Sequence, residues 1–258
     1  MKKAKLFVLI PALFALTACG LGKEVDEQAA KDYEAKMAEE PVTSQDSVNF
    51  NLTTNGTQGK DKVKTSAEYK MKINNKTGNS YFYASSEQDG KKSFFEAYVC
   101  KDETYEEVTW VKYLDNNTET TVAYTKKGNE IVYTTVAATL VTSASFGPVG
   151  FYTMFSVPTA VVEGADFEEE NAKVQYYSNG EKNLSVKVTV SEPKEAPEDE
   201  EEYATSGSIT AVYDNYLLKS FEVSAKTNLG NSATMKASAS YGEAKVSLPK
   251  DWEKAIVK

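Results

Sequence analysis

The sequence predicts a mainly β (α+β) protein built on one large, strongly curved antiparallel sheet. Apolar and polar residues alternate with a period of two from Val48 onward, turn signals separate the alternating runs, and a clear helical period occurs near the amino terminus. Regular hairpins of this kind are typical of antiparallel sheets rather than of alternating βαβ units. We therefore expect one folded domain over residues 44–258.

The helical period lies in residues 20–40, where an apolar side chain recurs every four positions at Val25, Ala29, Tyr33 and Met37. Oppositely charged residues four apart support the helix at Glu27 and Lys31 and again at Asp32 and Lys36. Pro41 is expected to end it. The helix could be a tether in solvent or could pack on the sheet, and Tyr33 and Met37 favour packing.

The clearest strand places Val63, Thr65, Ala67, Tyr69, Met71 and Ile73 on one face and lysines, Ser66 and Glu68 on the other. Asp89-Gly90-Lys91 is a tight hairpin signal. Further strands are predicted at Tyr81–Ser86, Phe94–Cys100, Tyr105–Tyr113, Glu119–Tyr124, Val174–Tyr177, Leu184–Val190, Ser208–Tyr213, Leu217–Thr227 and Thr234–Tyr241.

Two segments interrupt this pattern. Ile131 to Val162 is apolar and contains no charged residue, and Gly147-Pro148, Gly150 and Pro158 divide it into short pieces. We expect short helices there that are buried against the sheet or cover an apolar cavity. Glu192 to Glu202 is acidic and holds two prolines. A solvated hairpin loop fits it better than a calcium site, because contiguous glutamates rarely converge on one ion.

The chain has no histidine, and all 29 of its basic residues are lysine. This composition excludes Ser-His-Asp and Cys-His catalytic pairs, imidazole metal ligands and bidentate guanidinium recognition. Carboxylate pairs, Ser-Lys dyads and calcium sites remain open, but no catalytic spacing occurs for any of them. We therefore expect neither an enzyme nor a metal site, and no cofactor beyond covalent lipid. A net charge of −9 argues against a nucleic-acid partner.

The first 18 residues have the layout of an export signal. Lys2, Lys3 and Lys5 precede an apolar run from Leu6 to Leu16, which is shorter than the roughly 20 residues that a transmembrane helix needs. Residues 1–18 are therefore predicted to be removed, and residues 19–43 to form an anchor, tether and helix. Removal would take the net charge to about −12.

Leu16-Thr17-Ala18-Cys19-Gly20 resembles the lipobox of bacterial lipoproteins. That resemblance implies that diacylglycerol is attached to Cys19 and that the chain is cut just before it. The implied location is a cell membrane, with the protein facing outside the cytoplasm; an outer membrane is equally compatible. The alternative is an ordinary secretory signal that happens to carry a cysteine. With Cys19 capped by lipid, Cys100 would be the sole free thiol, and its place in an alternating strand indicates a packing role.

The anchored amino terminus, one short helix, long amphipathic strands, a charge-free middle and three closing strands resemble the LolA/LppX-like lipoprotein superfamily. The closing strands carry the match, at Gly207–Asp214, Leu217–Val223 and Ala239–Gly242, followed by Val246–Pro249. The resemblance implies an open half-barrel whose concave face, covered by helices, holds acyl chains. Carriers of lipoproteins often use an arginine in the cavity, which this chain lacks, so the resemblance favours lipid binding over lipoprotein transport.

Two functions follow as hypotheses. In the first, a membrane-anchored protein binds an apolar or lipid-like ligand, and the candidate lining residues are Phe146, Phe151, Tyr152, Met154 and Phe155. The same residues could instead be sheet core. In the second, the sheet is an interaction module that presents tyrosine-rich strands to a protein or glycan. The volume of an apolar cavity would separate the two hypotheses.

Overall fold

A computed structural model of the chain describes residues 21–39, 45–59, 62–115, 117–127, 130–131, 158, 171–193, 202–242 and 244–256. In chain order the elements are β1 (Lys23–Val25), α1 (Glu27–Glu39), β2 (Ser47–Gln58), β3 (Val63–Asn74), β4 (Ser80–Gln88), β5 (Lys91–Asp102), β6 (Glu106–Asp115), β7 (Thr118–Lys127), β8 (Glu130–Ile131), β9 (Ala172–Ser178), β10 (Asn183–Ser191), β11 (Ala204–Asp214), β12 (Leu217–Thr227), β13 (Ser232–Tyr241) and a short 3-10 helix (Trp252–Ala255).

The described strands form one antiparallel sheet of 13 strands. Strands β2 to β8 make one meander, β9 to β13 make a second, and β13 pairs with β2 to join them. β1 pairs with the free edge of β9, and β8 pairs with β7 at the opposite edge. The prediction of a mainly β protein with one large antiparallel sheet is confirmed.

One face of the sheet, here called the inner face, is apolar across most of its width. The register places ten side chains from β9 to β6 directly beside one another in a single row. In spatial order the row is Tyr176, Val186, Ala211, Phe221, Ala237, Leu52, Tyr69, Ala84, Phe95 and Tyr113. Side chains of alternate residues point to opposite faces, so this row makes one face of ten strands apolar at the same height.

Helix α1 packs on the inner face. Asp26 precedes its first turn, and the Asp26 Oδ1 accepts a hydrogen bond from the Ala29 N–H at 2.9 Å, as an N-cap residue does. Ala30 and Tyr33 are buried in one apolar cluster with residues of β2, β3, β4 and β10 to β13. Val25, which the four-residue period placed in the helix, lies in β1, because the cap at Asp26 starts the helix after it.

The predicted strands lie within the observed ones, whose ends extend by up to four residues; Leu217–Thr227 has the same bounds in both. Tyr105 is the exception, since it belongs to the turn before β6. The three-residue strand β1 was not predicted. The segment Ile131 to Val162 lies outside the described residues, apart from Ile131 in β8 and the fully buried Pro158. Residues 194–201 of the acidic loop are also outside them.

Residues 244–256, here called the C-terminal strap, run along one end of the sheet from β13 to β7. The Ser47 Oγ accepts a hydrogen bond from the Ala244 N–H at 2.8 Å, and the Asn79 Nδ2 donates to the Val246 carbonyl at 3.0 Å. Further along, the Trp252 ring meets the Tyr105 ring edge to face, and Ile256 forms a bridge with Ala123 of β7. The strap therefore ties the last strand of one meander to the far strands of the other.

Candidate functional site

The candidate ligand-binding residues Phe146, Phe151, Tyr152, Met154 and Phe155 all lie outside the described residues, as does the lipid-attachment candidate Cys19. The structure therefore does not test whether they come together. Cys100, the other cysteine, is buried on the outer face of β5. Burial raises the pKa of its thiol to about 11, so the thiol is protonated at neutral pH. This agrees with a packing role.

The inner face is the first candidate site. Beyond the cluster around α1, the inner-facing Ala97 and Val111 of β5 and β6 are fully buried, and Tyr124 of β7 is buried beside Thr109. Phe95, Tyr113 and Val122 on the same face are half-buried. The apolar face thus continues over strands that contribute nothing to the cluster around the helix.

The opposite, outer face carries a second candidate site that the sequence analysis did not identify. Three adjoining clefts of about 750, 680 and 450 Å³ lie side by side across strands β10 to β5. The first two share Ser232 and Thr234, and the first and third share Asn55, Ser66 and Glu87. They form one continuous depression, here called the outer trough.

A single row of polar side chains runs along the outer trough, one from each of eight neighbouring strands. Directly paired positions place Thr189, Ser208, Ser224, Thr234, Asn55 and Ser66 in line from β10 to β3, and Glu87 and Lys92 continue the line on β4 and β5. Hydroxyl groups contact each other along it: the Ser208 and Ser224 Oγ atoms are 2.9 Å apart. In the next row, the Thr57 Oγ1 and Ser232 Oγ are 2.8 Å apart.

The charges of the trough nearly balance. Five lysines line it, at positions 62, 64, 92, 187 and 226, together with four acids at positions 68, 87, 89 and 222. Glu87 pairs with Lys92 at 3.4 Å, and Glu222 pairs at 2.8 Å with Lys236, which is next to the lining. The trough therefore carries charged side chains of both signs, with no large excess of either.

Two aromatic rings close the β5 end of the trough. Tyr83 and Phe94 are half-buried there, with the Lys70 Nζ 5.2 Å from the Tyr83 ring centroid and the Lys112 Nζ 5.9 Å from the Phe94 ring centroid. These distances are in the range of cation–π contacts. Each lysine thus lies over its ring, and part of each half-buried side chain stays exposed.

A packed aromatic cluster lies beside this end. The Tyr81 and Tyr98 ring centroids are 4.7 Å apart, and Tyr98 meets Trp110 edge to face at 5.6 Å. Tyr98 donates a hydrogen bond to the Glu96 carboxylate at 3.1 Å. Burial, followed by the negative charge of Glu96, raises the pKa of Tyr98 to about 12, and the same causes raise the pKa of Tyr81 further. The cluster stabilises the strands that carry the trough rings.

No group of three or more potential metal-ligating side chains occurs among the described residues. Within the same part of the chain, no helix has the length and apolar character needed to cross a bilayer. No protein-family model matches the chain, and a search of curated proteins finds no significant match. The two faces of the sheet therefore have to be interpreted from their own chemistry.

A pattern in the sequence marks the outer trough, although the prediction of strands did not use it. On six neighbouring strands the outward position at one height is Ser, Thr or Asn, rather than the long charged residues found elsewhere on the same face. The pattern could be recognised only once the register was known. Two of the six strands, β13 and β2, are neighbours in the sheet although they lie far apart in the chain.

Proposed function

We propose that the chain is a lipid-anchored lipoprotein of the bacterial envelope whose sheet binds an apolar or lipid-like ligand on its inner face. The proposed anchor is diacylglycerol on Cys19, in the lipobox-like sequence Leu16–Gly20 at the end of the proposed export signal. Two acyl chains, at about 0.8 kcal/mol for each buried methylene, hold a protein stably on a membrane.

The observation that carries the ligand proposal is the unbroken apolar row across ten strands of the inner face. A sheet exposes one polar face to water and must bury the other, and α1 is a single helix of 13 residues. Such a helix is about 20 Å long, whereas ten strands at about 4.8 Å spacing span roughly 43 Å. Phe95, Tyr113 and Val122 on this face lie beyond the cluster around the helix and are half-buried, and we propose that an acyl chain covers them.

We propose further that the sheet is curved into an open half-barrel. Wide sheets twist and curl, because each strand is rotated relative to its neighbour by about 20 to 25°. Register shifts near Ala204, Val212 and Glu106 add local bends on β11 and β6. With β1 and β8 at the two edges, the proposed curl would enclose the inner face without closing the sheet into a barrel.

The ligand proposal is tested by native mass spectrometry and by binding of a fluorescent fatty acid to the full chain in detergent. The informative variant is Val122→Asp, which puts a charge on the inner face of β7. Thr121→Asp, which puts the same charge on the outer face of the same strand, is the matched control. We expect Val122→Asp to weaken fatty-acid binding at least tenfold and the control to leave it unchanged. Absence of fatty-acid binding by the unmodified chain contradicts the proposal.

The anchor is tested separately by expressing the full chain and the Cys19→Ala variant in a bacterium. We expect the unmodified chain in the membrane fraction, with a diacylglycerol-modified amino-terminal peptide in its mass spectrum. The Cys19→Ala chain should lack that modified peptide. An unmodified Cys19 in the wild-type peptide would show that the leader is an ordinary secretory signal.

A further inference from the structure

We propose that the outer trough is a glycan-binding site that takes an extended oligosaccharide laid across the strands. This function goes beyond ligand binding on the inner face, since the trough lies on the opposite side of the sheet. Its occupant is inferred from the lining: a continuous row of hydroxyl, amide and carboxylate groups that ends against two accessible rings.

The polar row matches the hydrogen-bonding needs of a sugar chain. Sugar hydroxyls both donate and accept, and the Ser, Thr and Asn side chains of the row do the same. The row also changes little on binding, because these side chains stand on paired strands and some already contact one another, as Ser208 and Ser224 do at 2.9 Å. Side chains held in this way lose little conformational freedom when a ligand binds.

The two rings supply the second element of sugar recognition. A sugar ring has apolar C–H faces between its hydroxyls, and an aromatic ring with an accessible face can cover them. Tyr83 and Phe94 are half-buried at one end of the trough, so part of each side chain is exposed there. The Lys70 and Lys112 ammonium groups lie over the Tyr83 and Phe94 rings at cation–π distances.

The same lining argues against the other ligand classes. The lining holds a few apolar residues, among them Val63, Val190 and Ala233, but a lipid that reached them would have to cover the charged and hydroxyl side chains of the row and deprive those groups of water. Nucleic acid needs an excess of positive charge, whereas the five lysines of the trough face four acids on a chain of net charge −9. A neutral or mixed-charge glycan agrees with both the balance of charge and the density of hydrogen-bonding groups.

The length and position of the trough define the kind of glycan. It crosses eight strands, which at about 4.8 Å spacing is roughly 34 Å, so it suits a chain of several sugars rather than a single one. Asp89 and Gly90, in the turn between β4 and β5, line it, which places it toward the end of the sheet away from the start of β1. If Cys19 carries lipid, that end would face away from the membrane.

The test is binding of the full chain, in detergent, to an immobilised panel of neutral, N-acetylated and uronic-acid oligosaccharides. Asn55→Ala and Tyr83→Leu alter the trough. Asn51→Ala and Asn49→Ala change the same residue type as Asn55→Ala on the same face of β2, four and six positions away and outside the trough. We expect each trough variant to bind the recognised oligosaccharide about tenfold more weakly, and each control to stay within about twofold of the unmodified chain.

Fatty-acid binding measured on the same variants separates this inference from the proposed function, since the trough variants should retain it. Circular dichroism melting identifies any variant that has lost its fold, and Asn55→Ala is the decisive one because Asn55 is exposed. Absence of binding to every oligosaccharide overturns the proposal, and so does equal loss in Asn55→Ala and Asn51→Ala. Binding of a protein partner at the trough without any oligosaccharide also overturns it.

Discussion

Tyr33 joins the helix to two turns of the sheet through one hydroxyl group. The Tyr33 hydroxyl donates to the Lys182 carbonyl at 3.0 Å and accepts from the Tyr216 N–H at 3.1 Å. Tyr216 has a φ of 62°, a left-handed conformation that is costly for a bulky residue, and its ring lies 5.0 Å from that of Tyr33. The helix therefore supports the strained turn between β11 and β12 as well as covering apolar surface.

We expect Tyr33→Phe to lower the free energy of unfolding by about 1 to 3 kcal/mol, because it leaves the Lys182 carbonyl and the Tyr216 N–H without their partner while keeping the ring. Urea denaturation followed by circular dichroism measures the change. Tyr69→Phe is the control, since the Tyr69 hydroxyl has no hydrogen-bond partner among the described residues; it should shift the unfolding midpoint little. Equal effects of the two substitutions would assign the stabilisation to the ring of Tyr33 alone.

The raised pKa values of Cys100 and Tyr98 lead us to expect a loss of stability at alkaline pH. Burial raises the pKa of the Cys100 thiol from 9.0 to about 11, so the folded chain holds this proton more tightly than the unfolded chain. The stability linked to the proton is complete below pH 9 and is lost as the pH rises through 11. Tyr98, raised from 10.0 to about 12, acts in the same direction at higher pH.

Urea denaturation at pH 9 and pH 11 should therefore give a lower unfolding free energy at the higher pH. The Cys100→Ala variant should show a smaller difference between the two, since it no longer has a thiol to ionise. The same difference in the variant and in the unmodified chain would mean that other groups cause the alkaline loss.

At the scale of elements, the C-terminal strap is held by side chains of the turn between β3 and β4. Asn79 is the central one: its Nδ2 donates to the Val246 carbonyl at 3.0 Å, and its Oδ1 accepts from the Lys101 N–H at 3.0 Å. Asn74 adds a bond from its Nδ2 to the Ala244 carbonyl at 2.8 Å. One turn thus fixes both the strap and the end of β5.

Asn79→Ala should release the strap locally and lower the unfolding free energy by about 1 to 2 kcal/mol, since two hydrogen bonds are lost. Hydrogen exchange followed by mass spectrometry should show faster exchange in residues 244–256, while the strands of β10 to β12 keep their protection. Asn179→Ala, in an exposed turn where its side chain makes no hydrogen bond within the described residues, is the control. Unchanged exchange in the strap would show that its remaining contacts, to Ser47, Asn74, Tyr105 and Ala123, suffice to hold it.

At the scale of the whole molecule, the start of β1 sets an orientation if Cys19 carries lipid. Gly22 lies against β9, where an added Cβ would be 2.4 Å from the Ser178 carbonyl oxygen, so the chain is tightly seated there. Two residues, Gly20 and Leu21, lie between Cys19 and Gly22, so the three steps along the chain limit the distance between Cys19 and Gly22 to about 10 Å. The end of the sheet that holds the strap would then face the membrane. Strands of 12 residues would place the other end roughly 40 Å away.

This orientation is measured by energy transfer from tryptophan to dansyl-labelled lipid headgroups, using the lipidated chain in vesicles. The chain has two tryptophans, so Trp110→Phe leaves Trp252 in the strap as the donor. We expect strong transfer from Trp252. A donor introduced at the opposite end, at the exposed Leu229 in a chain without the other two tryptophans, should transfer weakly. Equal transfer from both positions would mean that the sheet lies flat on the membrane.

The local structure could be predicted from the sequence because it depends on neighbouring residues. Alternation from Val63 to Ile73 identifies a strand, Asp89-Gly90 adopts the left-handed angles that a tight hairpin needs, and the period around Tyr33 identifies a helix. The three-residue strand β1 escaped prediction, because so short a run has no measurable period and is held only by pairing with β9.

Three features depended on the tertiary structure. The sequence does not specify that β13 pairs with β2, since strands so far apart in the chain meet only when the two meanders pack together. That pairing joins the separate apolar rows into one inner face and lines up the polar residues of the outer trough. The sequence by itself determined the strand and turn pattern and the chemistry that a chain without histidine or arginine lacks, and it carries the lipobox-like motif on which the proposed anchor rests. The tertiary structure decided which strands are neighbours, because register is a property of pairs of strands.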